Sequence, residues 1–245
     1  MAEILDDELA AAAKANTALV DVLARLLGAE VRALIERRIE RRIDTSGLPE
    51  RVLLADYDFD FQTGVDKTQV MNLATLGFVE QRQSLILAGD SGTGKSHIAK
   101  ALLLTACQRQ YRCRYTTSAN MLATLLSGLC DDSLDSKLKT FVAPDVLLID
   151  ELGLDRIEQE SARNAALFQK VIEGRYCNGS TILTTNIDFG ELGSYLGDPV
   201  VTTASIDRLI HHAIIVNIQG PSWRIHQSKL LNQAQPKGKG APKAP

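Results

Sequence analysis

The chain has few cysteines and histidines, and neither kind of residue is arranged to bind a metal ion. Its four cysteines form no C-x-x-C pair. The adjacent histidines, His211 and His212, would point in different directions on a helix. A zinc site and a disulfide framework are therefore not indicated, and the cysteines are typical of reduced thiols in a cytoplasmic protein.

The sequence also lacks a membrane-spanning or secretory segment. No apolar run approaches the ~20 residues needed to cross a bilayer. The first residues include Glu3, Asp6 and Glu8, where a signal peptide would be basic and then apolar. These absences predict a cytoplasmic protein with no membrane partner. The net charge of -3 is too small to indicate a nucleic-acid partner by itself, while a hydrophobic fraction of 45% allows a sizeable core.

The most informative stretch runs from Ser84 to Ala101 and reads SLILAGDSGTGKSHIAKA. Its centre matches G-x-x-x-x-G-K-S between an apolar strand pattern and a helical pattern, which is the context of a phosphate-binding loop. Backbone N–H groups and the N-terminus of the following helix would face the phosphates. Lys95 would reach the β and γ phosphates, and the Ser96 hydroxyl would ligate Mg²⁺. The residues expected to contact ATP are Gly89, Asp90, Ser91, Gly92, Thr93, Gly94, Lys95, Ser96 and His97.

A second informative stretch reads DVLLIDE and ends in two acids, Asp150 and Glu151. Ionised carboxylates at the end of a buried strand need a partner, and Mg²⁺ with a nucleophilic water supplies one. We therefore expect Asp150 to hold the metal through its water shell and Glu151 to orient or deprotonate the attacking water. A later apolar strand, residues 180–186, ends at Asn186. Ligands of open α/β sheets bind at the carboxyl ends of the strands, so Asn186 could fix the attacking water or sense the γ-phosphate. The alternative is that Asn186 simply begins a turn.

The N-terminal region, residues 4 to about 43, is rich in Ala, Leu, Arg and Glu and predicts one or two helices. Its polar face becomes basic within ERRIERRI, residues 36–43. One interpretation is a solvated face in which Glu36 and Glu40 pair with arginines one turn away. The other is an arm that contacts DNA phosphates. The arginines concerned are Arg37, Arg38, Arg41 and Arg42.

Three aromatic residues, Tyr57, Phe59 and Phe61, precede the phosphate-binding loop. They either flank an adenine ring or lock this segment onto the domain. Further helices are predicted at residues 66–77, at 119–126 after an N-cap at Ser118, at 160–176 and at 200–212, with strands at 112–116 and 213–218. We expect a helical DNA-binding or oligomerisation arm at 1–48, an ATPase domain at 49–232 and a disordered basic tail at 233–245.

With these motifs placed, the order of elements resembles the AAA+ family of P-loop ATPases, in its DnaC-like branch. More narrowly, five segments are similar to IstB, the ATPase helper encoded beside a transposase in bacterial insertion sequences. These segments are LATLGFVEQ from Leu73, LLIDELG from Leu147, GRY..GSTILTTN from Gly174, GDPV..TASIDRLIHHA from Gly197 and GPSWR from Gly220. The resemblance implies an α/β AAA+ core with a parallel five-stranded sheet after the helical arm, and no separate C-terminal lid domain.

The resemblance also implies roles for two arginines. Arg208 matches the arginine finger that reaches the ATP of a neighbouring subunit, and Arg224 matches the sensor arginine that contacts the γ-phosphate of its own subunit. Asp90 is a departure, because relatives often have an uncharged residue there, and its charge is expected to weaken ATP affinity modestly.

The implied cofactors are ATP and Mg²⁺, and the implied partners are double-stranded DNA, a cognate transposase and further copies of the chain in a ring or helical assembly. The function expected is an ATP-hydrolysing helper that multimerises on duplex DNA and helps its transposase select and capture a target. A helicase loader of the DnaC type would share the nucleotide residues but use the N-terminal arm to grip a helicase. A P-loop kinase for a small metabolite would consume a phosphate acceptor and would not need Arg208.

Overall fold

The computed structural model describes residues 18–154, 162–188 and 198–234, together with residues 12, 14, 191, 195 and 196. Within these residues no helix is long and apolar enough to cross a membrane. The helices are α1 (Leu19–Ser46), α2 (Lys67–Leu73), α3 (Gly77–Glu80), α4 (Lys95–Gln108), α5 (Ser118–Cys130), α6 (Leu134–Val142), α7 (Ala162–Arg175), α8 (Pro199–His211) and α9 (Trp223–Ala234). The strands are β1 (Ser84–Gly89), β2 (Cys113–Thr117), β3 (Val146–Leu152), β4 (Ser180–Thr185) and β5 (Ala213–Ile218).

The five strands form one parallel sheet in the order β2-β3-β4-β1-β5. Leu85 of β1 pairs with Ile182 of β4 on one side and with Ile214 of β5 on the other. The three central strands are buried along almost their whole length, as expected for strands that are covered by helices on both faces. The α/β fold with a parallel five-stranded sheet is therefore confirmed.

The apolar core is divided by the sheet into two clusters. One cluster contains Leu85 and Leu87 of β1 with Ile98 and Leu102 of α4. The other contains Ile86 of β1 with buried residues of α5, α7 and α8. Because successive side chains of a strand point to opposite faces, the alternation in β1 fixes which helices cover which face. Because all five strands run parallel, their carboxyl ends lie along the same edge of the sheet, which is where ligands of such folds bind.

The opposite edge of the sheet is organised by a buried arginine, Arg175, which is 2% exposed. Its guanidinium donates to Thr181 Oγ1 at 2.9 Å and to the carbonyl oxygens of Phe141 at 2.9 Å and Pro144 at 2.8 Å. Burial lowers the pKa of Arg175 to about 10, so the side chain remains charged at neutral pH. This residue ties the end of α7 to the start of β4 and to the segment that precedes β3.

Several predicted boundaries differ from those of the structure. Strand β2 lies one residue later than predicted, and α5 is capped by Thr117 rather than Ser118, because Thr117 Oγ1 accepts a hydrogen bond from Asn120 N. Helix α9 was not predicted, since its sequence has only scattered apolar residues. It runs to Ala234, two residues into the predicted disordered tail, and residues 235–245 lie outside the described residues.

The N-terminal helix α1 ends where Gly47 adopts a left-handed backbone conformation, φ 73°. Only its C-terminal part packs on the sheet domain, through Ile39 and Ile43. The predicted pairing of Glu40 with an arginine one turn away is wrong, because Glu40 Oε2 binds Arg51 Nη2 at 2.6 Å, beyond the end of the helix. The division into a separate arm and an ATPase domain stays a prediction.

Candidate nucleotide site

A cavity of about 500 Å³ opens at the carboxyl edge of the sheet. It is lined by the phosphate-binding loop, by the ends of β3 and β4, by residues 56–62 and by the start of α9. The loop, the acid pair and Asn186, which are far apart in the sequence, therefore meet in one place. The size and position of this cavity suit a nucleotide.

The phosphate-binding loop requires glycine at two positions where the backbone has positive φ. Gly92 has φ 83° and Gly94 has φ 92°, both in the left-handed region. A Cβ on Gly94 would lie 2.5 Å from the ring of Tyr57, so the loop also depends on the absence of a side chain there. Helix α4 begins at the next residue, Lys95, and its N-terminus faces the cavity.

Lys95 is held at the loop itself. Its Nζ donates to the carbonyl oxygens of Gly89 at 2.7 Å and Asp90 at 2.6 Å, and the residue is 8% exposed. Burial lowers the pKa of Lys95 and nearby Arg224 lowers it further, while the charges of Asp90 and Asp150 oppose both effects. The ammonium is therefore already at the cavity, and no carboxylate among the described residues forms a salt bridge with it that a phosphate would have to displace.

Asp150 lies at the end of β3 and is 1% exposed. Its Oδ1 accepts hydrogen bonds from Ser96 Oγ at 2.8 Å and from Thr184 Oγ1 at 2.6 Å. Tyr115 lies on the other side, with its hydroxyl 3.4 Å from Asp150 Oδ2, and burial together with the nearby carboxylates raises the pKa of Tyr115. A carboxylate beside a serine hydroxyl is an all-oxygen ligand set, which suits Mg²⁺.

Glu151 follows with a backbone conformation that is rare for a residue with a side chain, φ 64°. The pairing of β3 with β4 is irregular at this point, between Ile149 and Leu152. The backbone N–H of Glu151 donates instead to Thr184 Oγ1 at 2.8 Å. This turn directs Glu151 to the cavity, which it lines. Strained backbone of this kind is concentrated at functional sites.

Three other predicted residues line the cavity. Asn186 and Arg224 are exposed on its wall, and His97 lines it while its Nε2 contacts the Leu53 carbonyl oxygen at 3.0 Å.

Arg208 does not line the cavity. It lies on the last turn of α8, whose following residue His212 accepts a hydrogen bond from Ser84 N at the start of β1. Arg208 is thus at the opposite edge of the sheet, where its Nη2 lies 3.4 Å from Glu173 Oε1.

The structure separates the two interpretations of the aromatic segment. Tyr57 locks the segment onto the domain, because its hydroxyl donates to Thr93 O at 2.9 Å and burial raises its pKa to about 12. Phe59 packs against Tyr57, with ring centroids 4.7 Å apart. Phe61 lines the cavity, as Tyr57 does, and is in edge contact with Trp223 at 5.0 Å. Because the Tyr57 hydroxyl is bound to the loop, Phe61 and Trp223 are the candidates for contact with a nucleobase.

Sequence reasoning missed three residues that hold the acid pair or the phosphate-binding loop. Thr184 binds both acids, as described above. Gln62 Nε2 donates to the carbonyl oxygens of Thr93 at 3.2 Å and Pro221 at 2.9 Å, and Trp223 N donates to Gly92 O at 2.9 Å. The polar side chains within the STILTT run of β4 were the only signal for Thr184, and nothing local marked Gln62.

The four arginines of the ERRIERRI segment of α1 do not line the nucleotide cavity. Arg37 is paired with Glu30 at 3.1 Å, and Arg38 Nη1 donates to Gln110 Oε1 at 3.3 Å. Arg37, Arg38 and Arg41 are exposed, and Arg42 is half-buried. Their exposure leaves a role in DNA binding as a prediction.

Sequence comparison assigns the family. A family model described as IstB-like ATP binding protein matches residues 1–231. The ATP-binding protein of insertion sequence IS5376 from Geobacillus stearothermophilus is 37% identical over 220 residues, which cover 90% of this chain and 86% of that protein. The corresponding protein of insertion sequence IS21 from Pseudomonas aeruginosa is 36% identical over 194 residues, covering 79% of this chain and 72% of that protein.

Solved structures establish the fold independently. The DnaC helicase loader superposes with a TM-score of 0.52 at 24% identity, covering 62% of this chain and 86% of that chain. DnaI superposes with a TM-score of 0.57 at 22% identity, covering 69% of this chain and 91% of that chain. The predicted AAA+ fold and the predicted family are thereby confirmed: the chain belongs to the family of IstB-like ATP binding proteins.

Proposed function

We propose that this protein is an ATP-hydrolysing helper of transposition that assembles on duplex DNA and helps a transposase select and capture its target. The observation that carries the ATPase part is the cluster of Ser96, Asp150, Thr184 and Glu151 at the phosphate-binding loop. It joins a hydroxyl and a carboxylate suited to a metal with a second carboxylate that lines the nucleotide cavity.

ATP would bind with its phosphates in the loop and its base toward Phe61 and Trp223. Lys95 would leave the loop carbonyls for the β and γ phosphates, and Arg224 would approach the γ-phosphate from α9. Mg²⁺ would be held by Ser96 directly and by Asp150 through water, and it would neutralise charge on the phosphate oxygens.

Hydrolysis needs a water activated opposite the leaving group. Glu151, which lines the cavity, would accept its proton, and Asn186, at the end of the neighbouring strand, would orient it. Arg208 lies at the edge of the sheet opposite the nucleotide cavity of its own subunit. It would therefore act in the nucleotide site of an adjacent subunit. An arginine supplied in this way accelerates phosphoryl transfer by roughly 10³ to 10⁵.

The DNA and transposase parts of the proposal rest on family membership. Three similar proteins are named as ATP-binding proteins of insertion sequences, and such elements move by transposition. The exposed arginines Arg37, Arg38 and Arg41 offer positive charge to duplex DNA. Each phosphate contact that they make would contribute to a binding constant that falls with salt concentration.

The test is sedimentation of the purified protein with and without ATP·Mg²⁺ and random duplex DNA, with the ATPase rate read on the same samples. We expect ATP-dependent assembly on DNA.

Glu151→Gln should assemble but scarcely hydrolyse ATP, and Arg208→Ala should bind ATP normally yet lose hydrolysis that depends on assembly. Replacing Arg37, Arg38, Arg41 and Arg42 with alanine should flatten the salt dependence of DNA binding. A protein indifferent to duplex DNA that binds a replicative helicase would instead be a helicase loader.

A further inference from the structure

Lys100 is a basic side chain of the nucleotide cavity to which the proposed function gives no role. Among the described residues, three lysine or arginine side chains line this cavity: Lys95, Arg224 and Lys100. Lys95 and Arg224 would bind phosphates in the proposed function. The Lys100 side chain is only 15% exposed, so its charge lies at the wall of the cavity rather than in open solvent.

Helix α4 directs Lys100 toward the part of the cavity where the metal is expected. Lys100 follows Ser96 by four residues, so the two side chains share one face of the helix. Helical side chains lean toward the N-terminus, which points the lysine stem back toward Ser96. The ammonium lies 5.9 Å from the centroid of the Tyr115 ring, and the Tyr115 hydroxyl is 3.4 Å from Asp150 Oδ2. The ammonium and the expected metal ligand therefore lie beside the same tyrosine.

Glu50 holds this ammonium by an ion pair. Lys100 Nζ donates to Glu50 Oε1 at 2.8 Å. The hydrogen bond and the charge of Lys100 lower the pKa of Glu50, so the carboxylate is ionised at neutral pH. The Glu50 side chain is 59% exposed, and exposed pairs of this kind are weak. A polyanion in the same cavity can therefore compete with Glu50 for Lys100.

We propose that Lys100 is a second phosphate-binding lysine of the nucleotide site and that Glu50 competes with the nucleotide for it. This role rests on the proposed function, in which the phosphates of ATP lie in the loop. The flexible lysine stem can turn its ammonium from Glu50 to a phosphate while α4 stays in place. Glu50 also lines the cavity, so phosphate charge would repel its carboxylate. Nucleotide binding thus exchanges one partner of Lys100 for another.

Arg51 connects this exchange to the end of α1. Arg51 donates two hydrogen bonds to Glu40, at 3.2 and 2.6 Å, and lies 3.5 Å from Asp44. Adjacent residues of one segment are thus anchored to different helices, Glu50 to α4 and Arg51 to α1. When Lys100 leaves Glu50, the segment loses one of its anchors to α4. The last turns of α1 should then open more often.

A double-mutant cycle tests the competition. The Kd of a β,γ-imido analogue of ATP with Mg²⁺ is measured by calorimetry on the wild type, Lys100→Met, Glu50→Gln and the double variant. We expect Lys100→Met to raise the Kd about 5- to 20-fold, because the phosphates lose a cation. We expect Glu50→Gln to lower the Kd about 3- to 5-fold when Lys100 is present, and by less than about 1.5-fold in the Lys100→Met background. These changes should shrink at high salt.

The cycle distinguishes competition from two other roles of Glu50. If Glu50 only repelled the phosphates, Glu50→Gln would lower the Kd equally with and without Lys100, and the proposal would be overturned. If the ion pair only supported the fold, Glu50→Gln would weaken binding or leave it unchanged, which would also overturn the proposal. Lys137→Met is the matched control, because Lys137 pairs with Asp131 at the same 2.8 Å but does not line the cavity. Its Kd should equal that of the wild type.

Hydrogen exchange tests the link to α1. With the analogue bound, the amides of residues 39–46 should exchange faster in the wild type. Arg51→Met should show the faster exchange both with and without the analogue, because the anchor of the segment to α1 is already lost. Exchange that the analogue leaves unchanged or slows in the wild type would overturn the link.

The role of Lys100 and the proposed function can fail separately. A wild-type protein that binds no analogue, or that binds it equally well after Lys95→Ala, would refute the nucleotide site itself. Binding that depends on Lys95 but is the same in Lys100→Met and the wild type would refute the role of Lys100 alone.

Discussion

Thr184→Val tests how the two acids of the nucleotide site are held. Thr184 is 1% exposed, and its hydroxyl donates to Asp150 Oδ1 at 2.6 Å while accepting from Glu151 N at 2.8 Å. Valine has nearly the same shape but makes neither bond. The substitution therefore leaves packing in place and removes the hydroxyl that is hydrogen-bonded to both Asp150 and Glu151.

The expected loss can be worked from these two bonds. An unpaired, part-buried N–H of Glu151 costs about 1–3 kcal/mol, and a lost hydrogen bond to the Asp150 carboxylate costs about 1.5–3 kcal/mol. Together they predict a destabilisation of roughly 3–5 kcal/mol, or a fall in Tm of roughly 6–20 °C for a chain of this size. Because the group orients a metal ligand and the proposed base, the ATPase rate should fall about 10- to 100-fold.

The assay compares Thr184→Val with Thr184→Ser, which keeps the hydroxyl. Thermal unfolding, the Kd for ATP and the ATPase rate are measured on the same preparations. Valine should lower Tm and kcat while leaving the Kd for ATP within a few-fold, whereas serine should restore most of the rate. Wild-type hydrolysis by the valine variant, or an equal loss in the serine variant, would show that the hydroxyl does not position Asp150 and Glu151.

Three further perturbations are expected to act on defined groups. Arg175→Met should destabilise the protein by about 3–5 kcal/mol in urea unfolding, since it leaves several buried carbonyl oxygens unpaired; a change below 1 kcal/mol would contradict that account. ATP affinity should fall as pH rises through the lowered pKa of Lys95, thus at a pH below the 10.5 of a free lysine, because the neutral amine no longer attracts phosphate; titrations that stay flat to pH 10.5 would exclude this. ATP should change the emission of Trp223, the only tryptophan in the chain, and Phe61→Ala should raise the Kd for ATP about 5- to 30-fold; unchanged emission and affinity would place the base elsewhere.

Short apolar runs made the sheet predictable from the sequence. The bounds of β5, Ala213–Ile218, agree with the prediction, and those of β4 differ only at the last residue. Four to six buried residues between polar ends suit a strand of a parallel sheet, and a run this short argues against a buried helix. The phosphate-binding loop was predictable for a different reason, because its glycines and Lys95 are constrained at fixed spacing by the phosphates that they bind.

The supports of the site were not predictable, because they depend on contacts between distant parts of the chain. Thr184 is one of three threonines in β4, and only the register between β3 and β4 selects it as the partner of Asp150. Gln62 meets Thr93 from another segment altogether. Roles of this kind follow from tertiary geometry, which local patterns do not encode.

The exposed apolar residues of α1 also could not be predicted from local patterns. Helical periodicity predicted one or two helices over residues 4 to about 43, since apolar residues recur at steps of three and four, and the structure has a helix at Leu19–Ser46. Periodicity does not say which apolar face meets the core. That depends on where the helix docks, and α1 contacts the sheet domain through Ile39 and Ile43 near its C-terminal end. Among the described residues, the apolar side chains of Val20, Leu23, Leu27, Val31 and Leu34 therefore stay exposed, because a helix that docks only near its C-terminal end leaves the rest of its apolar surface away from the sheet domain.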